Sequence, residues 1–287
     1  MVLGAMLVVL DRLSGLVAPL FLGPLAFASI LLITLASARF MDRRPLADLG
    51  LRLDLPRAAD FGAGMLVGGA SIGLVAVVEG AVGAASYATQ AVDGTRVARM
   101  VFVAVFFVGV AIQEELVFRG YHLLNLTEGL TGARISAPRA AMLATLVSAL
   151  GFGLAHAGND GASILATVQV AVAGGTLLAV GYVLTGDLAY SIGLHFAWNF
   201  AQCALGMPVS GFVLSDAALL TRAPHGSELL TGGAFGPEAS LIGLAAMLVG
   251  TALSLAYVRA RYGPLGLRMR LVTPPRPSFS EPPSGAS

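Results

Sequence analysis

A group of charged residues lies inside one of the most apolar stretches of this chain. Glu114, Glu115 and Arg119 follow fourteen uncharged residues, Met100 to Gln113. A charged side chain near the centre of a membrane helix costs about 2.5–3.5 kcal/mol, so such residues are expected to pair and to have a function. Residues four apart share a helix face, whereas neighbours point about 100° apart. Glu115 can therefore pair with Arg119, and Glu114 is left to face another group.

Two further motifs have helical spacing. Phe152 precedes His156 by four residues, and His195 precedes Asn199 by four. A carboxylate, two imidazoles and an amide suit hydrolysis of a peptide bond, with Glu114 accepting a proton from water and donors stabilising the oxyanion. The same Glu114, His156 and His195 could instead hold a divalent metal such as zinc. The residue types permit either chemistry.

The elements that carry these groups are membrane helices. Of the 287 residues, 56% are hydrophobic and 11% are charged, and the apolar runs are continuous rather than alternating. We therefore predict an all-α fold, a polytopic transmembrane helical bundle of about seven spans. The spans are Leu13 to Ala38, Phe61 to Ala85, Met100 to Leu126, Ala140 to Gly158, Gly161 to Gly186, Leu188 to Gly206 and Ala239 to Val258.

Arginine positions orient the bundle, because the chain contains no lysine. With seven spans, thirteen of the seventeen arginines fall on one side, which the positive-inside rule makes cytoplasmic. The N-terminus is then outside and the C-terminus inside. The bias toward Ala, Gly and Arg favours a bacterial plasma membrane, and no nucleic-acid partner is expected. The thirteen are Arg39, Arg43, Arg44, Arg52, Arg57, Arg119, Arg134, Arg139, Arg259, Arg261, Arg268, Arg270 and Arg276.

The chain divides into three predicted regions. Residues 1–60 hold the first span and a short cytoplasmic interfacial segment, 61–258 the helical core, and 259–287 a Pro-rich tail predicted to be disordered. The lone Cys203 excludes an internal disulfide and a cysteine-based metal cluster. The loop from 208 to 237 suggests no role.

The predicted helix lengths place His156 and Glu114 at different depths in the bilayer. It lies about seventeen residues after Arg139, or about 25 Å along a helix, whereas Glu114 lies near mid-depth. We therefore expect the 139–158 helix to enter the bilayer late and a turn at residues 157–161 to lie below the outer surface.

The three motifs, in this order and each inside a span, resemble the CPBP family of intramembrane proteases. That family includes CaaX prenyl endopeptidases and bacterial bacteriocin-immunity proteins, and the resemblance covers about residues 98 to 206. It implies a general-base role for Glu114 with His156, an oxyanion or ligand role for His195 and Asn199, and support of Arg119 by Glu115. The family name implies a metalloprotease, and a metal-free glutamate mechanism is the rival account.

The sequence therefore predicts an intramembrane endopeptidase with the lipid bilayer and a peptide or protein substrate as partners. The alternative is a non-proteolytic immunity or scaffold protein of the same family. A proton-coupled transporter would also use intramembrane Glu and His, but no inverted repeat supports it. As a purely structural alternative, Glu114, Glu115 and Arg119 would form an ion-pair cluster that locks helices together. The lone Glu79 is not assigned to the site.

Overall fold

The structure is a computed structural model that describes residues 23–52 and 54–268. It divides into two compact units, Met1–Pro45 and Leu46–Ser287. In the first unit, helix α1 (Gly23–Ala36) continues as a π-helical turn over Ser37–Met41. The predicted span from Leu13 to Ala38 overlaps α1, and its first ten residues lie outside the described part of the chain.

The second unit is a bundle of helices with one small sheet. A 3-10 turn, Leu46–Leu49, precedes α2. The sequence predicted a helical membrane protein of about seven spans, and the described residues contain five helices long and apolar enough to cross a membrane. These five are α2 (Leu55–Ala81), α3 (Gly94–Leu130), α4 (Ala137–Ala155), α5 (Ile164–Thr185) and α8 (Leu241–Tyr262).

Shorter elements complete this unit. They are β1 (Ala85–Thr89), α6 (Ala189–Ala204), β2 (Leu220–Pro224) and α7 (Glu228–Thr231), with 3-10 turns at Ser215–Ala217 and Pro237–Ala239. Helices α3 and α5 each contain a π-helical segment, Leu116–Leu123 and Val170–Gly174. Because α8 extends to Tyr262, residues 259–262 of the predicted tail are helical, and residues 269–287 lie outside the described part.

Helix α6 lies at the centre of the bundle. It has 16 residues rather than the nineteen-residue span predicted from Leu188 to Gly206, and twelve of its residues are buried. Its apolar side chains, including Leu194 and Trp198, pack with Ile72 of α2, Leu177 of α5 and Met247 of α8 in one core. A helix that is apolar all round is expected inside a bundle rather than at its lipid surface.

Glycines bring α2 and α6 into backbone contact. A Cβ at Gly68 of α2 would overlap the Leu194 carbonyl oxygen, and one at Gly193 of α6 would overlap the Phe61 carbonyl oxygen. Gly64 lies one turn before Gly68 and meets α6 in the same way. Small residues four apart are the usual means by which membrane helices approach closely. This contact fixes α6, and with it His195, against α2.

Buried ion pairs fix both ends of α2. At its C-terminal end Glu79, which is fully buried, accepts two hydrogen bonds from Arg222 at 2.7 and 2.8 Å and one from Tyr87 at 2.5 Å. Strands β1 and β2, which carry these partners, pair antiparallel with Ala85 opposite Pro224. Glu79 therefore anchors the two-stranded sheet of β1 and β2 to the C-terminal end of α2.

At the N-terminal end of α2, charged groups connect three helices. Arg57 Nε lies 3.0 Å from Asp187 Oδ2 in the turn between α5 and α6. The Tyr257 hydroxyl of α8 donates to Asp60 at 2.6 Å. Gly50, with a φ of 89°, accepts a hydrogen bond from the backbone N–H of Leu188 at 2.9 Å. These contacts hold the start of α6 in place.

We expect Gly68→Ala to destabilise the protein by about 1–3 kcal/mol, because the new methyl group forces two backbones apart. Gly69→Ala is the matched control: a Cβ there meets nothing within 4 Å, and alanine favours the helix by up to about 1 kcal/mol. Thermal unfolding in detergent measures both. Equal unfolding temperatures for the two variants would contradict the close approach.

Candidate active site

The carboxylate of Glu115 joins α3 to α6. Glu115 ends the α-helical part of α3 and is fully buried, and the π-helical segment that carries Arg119 begins at the next residue. Its Oε1 accepts hydrogen bonds from Arg119 Nη1 at 3.0 Å and from His195 Nδ1 at 2.9 Å. π-Helical turns inside α-helices often occur at functional sites. One oxygen atom thus positions both a cation and an imidazole.

Arg119 is buried at 1% exposure and contacts three elements. Besides the bond to Glu115, its Nη2 donates to the Gly175 carbonyl of α5 at 3.2 Å. Its guanidinium lies 4.4 Å from the centre of the Phe152 ring of α4. A buried charge is tolerated when it is both paired and hydrogen-bonded, and the arrangement here meets both conditions.

The ring of Phe152 lies between the two histidines. Its centroid is 4.7 Å from that of His156 and 6.0 Å from that of His195, and Phe118 packs on it edge-on at 5.3 Å. The structure makes Phe152 the shared neighbour of Arg119 and both imidazoles.

Glu114 faces His195 rather than Arg119. Its Oε2 lies 3.7 Å from His195 Nε2, and this oxygen is buried without a hydrogen-bond partner in the described residues. The Glu114 side chain as a whole is 23% exposed. Because His195 Nδ1 faces the Glu115 carboxylate, it carries the proton when the ring is neutral, and the Nε2 lone pair points toward Glu114. Glu114 Oε2 and His195 Nε2 are therefore two adjacent proton acceptors, and neither receives a hydrogen bond from a described residue.

His156 and Asn199 lie at the edge of this pair. His156 caps α4, and its Nδ1 donates to the Phe152 carbonyl at 2.7 Å. Within the described residues it forms no hydrogen bond to Glu114. Asn199 lies one turn beyond His195 and is 7% exposed.

The three candidate metal ligands do not form a metal site in the described residues. No group of three or more His, Cys, Asp or Glu side chains there is arranged to hold a metal ion. Glu114 and His195 provide two adjacent donors, and His156 does not join them. The donor geometry therefore does not fit zinc, which takes three protein ligands in its catalytic sites.

A cavity of about 580 Å³ opens between α2, α3 and α6. Ile112 and Ile192 line it, and each lies three residues before a member of the Glu115–His195 hydrogen bond. The cavity therefore comes within one helical turn of the site. Its other lining residues include Arg52, Arg57, Phe61 and Val108.

One residue near the site was not predicted from the sequence. Glu238, in the 3-10 turn before α8, is 4% exposed and lies close enough to His156 for the imidazole to affect its pKa. It follows a Gly-rich loop, and neither spacing nor a neighbouring polar residue marks it in the sequence.

Comparison with known proteins gives one match. Residues 96–201 match the family model described as Type II CAAX prenyl endopeptidase Rce1-like. The matched region contains all three motifs, so the family resemblance predicted from them is confirmed. No curated protein and no solved structure matched the chain.

We expect the two adjacent glutamates to respond differently to the same substitution. Glu115→Gln leaves the Arg119 charge uncompensated in the core, and breaking a buried ion pair in this way costs about 3–5 kcal/mol. Glu114→Gln removes no hydrogen bond within the described residues and should leave the unfolding temperature unchanged. Thermal unfolding in detergent compares them, and similar losses for both variants would refute this difference in roles.

Proposed function

Residues 96–201 of this chain match the Rce1-like family of type II CAAX prenyl endopeptidases, and we propose from this match and the site geometry that the protein is an intramembrane endopeptidase. It hydrolyses a peptide bond in or near the bilayer. The observation that carries the proposal is the position of Glu114, whose unpartnered Oε2 lies 3.7 Å from His195 Nε2. A general base needs a free lone pair beside the water that it activates, and this carboxylate has one.

The proposed reaction begins with a water molecule held against Glu114 Oε2 and His195 Nε2. Glu114 takes a proton from the water, and the water oxygen attacks the carbon of the scissile carbonyl. A tetrahedral intermediate forms. The Asn199 amide donates an N–H to the resulting oxyanion. Transfer of the proton from Glu114 to the peptide nitrogen then breaks the C–N bond and releases the two products.

Glu115 and Arg119 act by positioning. The hydrogen bond from His195 Nδ1 to Glu115 fixes the tautomer and the plane of the imidazole, and it stabilises the ring if it becomes protonated. Arg119 in turn fixes the Glu115 side chain through its hydrogen bond to Oε1. His156, which also contacts the Phe152 ring, is the second imidazole available to orient the water or the substrate.

The peptide is proposed to approach through the cavity between α2, α3 and α6. Its apolar wall suits a segment that enters from the bilayer, and Arg52 and Arg57 lie at the end of α2 that the arginine distribution assigns to the cytoplasm. We accordingly propose a bacterial plasma membrane protein with its N-terminus outside and its C-terminus inside.

Glu114→Gln should abolish proteolysis without affecting folding, because the amide cannot accept a proton. General bases contribute about 10²–10⁴-fold to rate, so the loss should be at least of that order. The measurement compares membrane proteomes containing wild type or variant for new peptide termini, with Glu228→Gln, an exposed carboxylate on α7, as control. If a phenotype that depends on the wild-type protein is unchanged in cells carrying Glu114→Gln, the immunity or scaffold function is favoured instead.

The proposed chemistry needs no metal ion, because the chain supplies base, imidazole and amide. We therefore expect purified active protein to contain less than one equivalent of zinc, and dialysis against a chelator to leave the rate unchanged. Metal analysis and activity are measured on the same sample. Loss of activity on chelation, restored by zinc, would establish the metalloprotease mechanism instead.

A further inference from the structure

A buried polar cluster is centred on a residue outside the region that matches the family. Its centre is Glu238, which is 4% exposed in the turn Pro237–Ala239. Ser210 Oγ donates to Glu238 Oε1 at 3.2 Å. Gln169 Nε2 donates to the carbonyl oxygens of Ser240 and Glu238 at 2.9 and 3.4 Å, and Gln202 Nε2 donates to that of Pro208 at 3.1 Å.

This cluster has more acceptors than donors. Glu238 Oε2, Gln202 Oε1 and Gln169 Oε1 are all buried without a partner in the described residues. Neither amide can be reversed without loss of the bonds that its NH₂ group makes to backbone carbonyls. Burial raises the pKa of Glu238, and hydrogen bonding by Gln202 and Ser210 lowers it.

Hydrogen bonds connect this cluster to the turn that carries His156. The backbone N–H of Asn159 donates to the His156 carbonyl at 3.2 Å, and Asn159 Nδ2 donates to the Ser210 carbonyl at 2.8 Å. Ser210, which also bonds to Glu238, has a φ of 46°, a left-handed conformation unusual for a residue other than glycine. Such strain persists where the surroundings impose it, often at functional sites.

Few charges compete with this arrangement. The segments of α5 and α8 that pack near the turn carry no charged residue. Glu228 on α7 and Asp160 after α4 are exposed, and Glu228 lies against Gly233.

We propose that Glu238 is a positioning residue for His156: it holds, through Ser210 and Asn159, the turn that follows α4. The inference rests on the proposed function, since the position of His156 affects a rate only if the site hydrolyses peptides. It assigns a role to the 208–240 segment, which lies beyond the matched region.

The test compares Glu238→Ala, Glu238→Gln and the control Glu228→Ala in the full chain. Misplacing a catalytic group by about 1 Å can cost about 10²-fold, so Glu238→Ala should lower kcat by about 10–100-fold with little change in KM. Glu238→Gln should restore most of it, because its amide oxygen can still accept the hydrogen bond from Ser210. Glu228→Ala should match wild type.

Hydrogen exchange gives a readout that does not depend on activity. In Glu238→Ala the amides of residues 156–161 should exchange faster than in wild type, and in Glu238→Gln they should not. If neither the wild type nor any variant cleaves peptides, the proposed function fails. The exchange pattern would still support the inference about Glu238. Unchanged exchange in Glu238→Ala, or equal exchange in both Glu238 variants, would overturn it.

A double-mutant cycle with Asn159→Ala adds a second check. Because Asn159 and Glu238 are proposed to act through one chain of contacts, their effects on kcat should be less than additive. Additive effects would overturn the inference. So would a Glu238→Ala variant that has a lower unfolding temperature but a normal kcat per folded molecule, since that result is expected of a packing residue.

Discussion

Burial of the Arg119 guanidinium is the constraint on which the arrangement of this protein depends. A cation at 1% exposure in an apolar core is stable only if other groups neutralise and saturate it. Those groups come from different helices: Glu115 of α3, the Gly175 carbonyl of α5 and the ring of Phe152 of α4. Through Glu115 the network extends to His195 of α6. One side chain therefore sets the relative positions of four helices.

The network is satisfied on one side and unsatisfied on the other. Arg119, Glu115 Oε1 and His195 Nδ1 form short, paired contacts, whereas Glu114 Oε2 and Glu115 Oε2 are buried without a hydrogen-bond partner among the described residues. Buried polar groups normally find partners, so their exceptions need an explanation. Here the satisfied part is rigid scaffolding and the unsatisfied part is what a substrate and a water molecule would complete. Local rules are often broken at functional sites for this reason.

Much of the fold could be predicted because lipid leaves the backbone few options. Continuous apolar runs must be helices, and the five long ones are present. The Glu115–Arg119 pair could be predicted for a similar reason, since contacts four residues apart are local. The length of α6 could not, because an apolar helix buried in protein and one that spans lipid have the same composition.

Contacts between distant residues account for most of what the sequence did not reveal. His195 meets Glu115 across eighty positions, and no spacing rule connects them. The motif order indicated a shared site without showing which imidazole lies beside Glu114. Glu238 is harder still, because its significance lies entirely in three buried oxygen atoms that no residue pattern can foresee.

The glycine contact between α2 and α6 has a mechanical consequence. Where two backbones touch directly, no side chain lies between them whose rotation could open a gap. Helices α2 and α6 must therefore move as one rigid unit, and His195 moves with them. A peptide therefore has to enter along seams built from side chains rather than between the touching backbones of α2 and α6. The imidazole of His195 is held from two directions, by the glycine contact of its helix with α2 and by its hydrogen bond to Glu115 of α3.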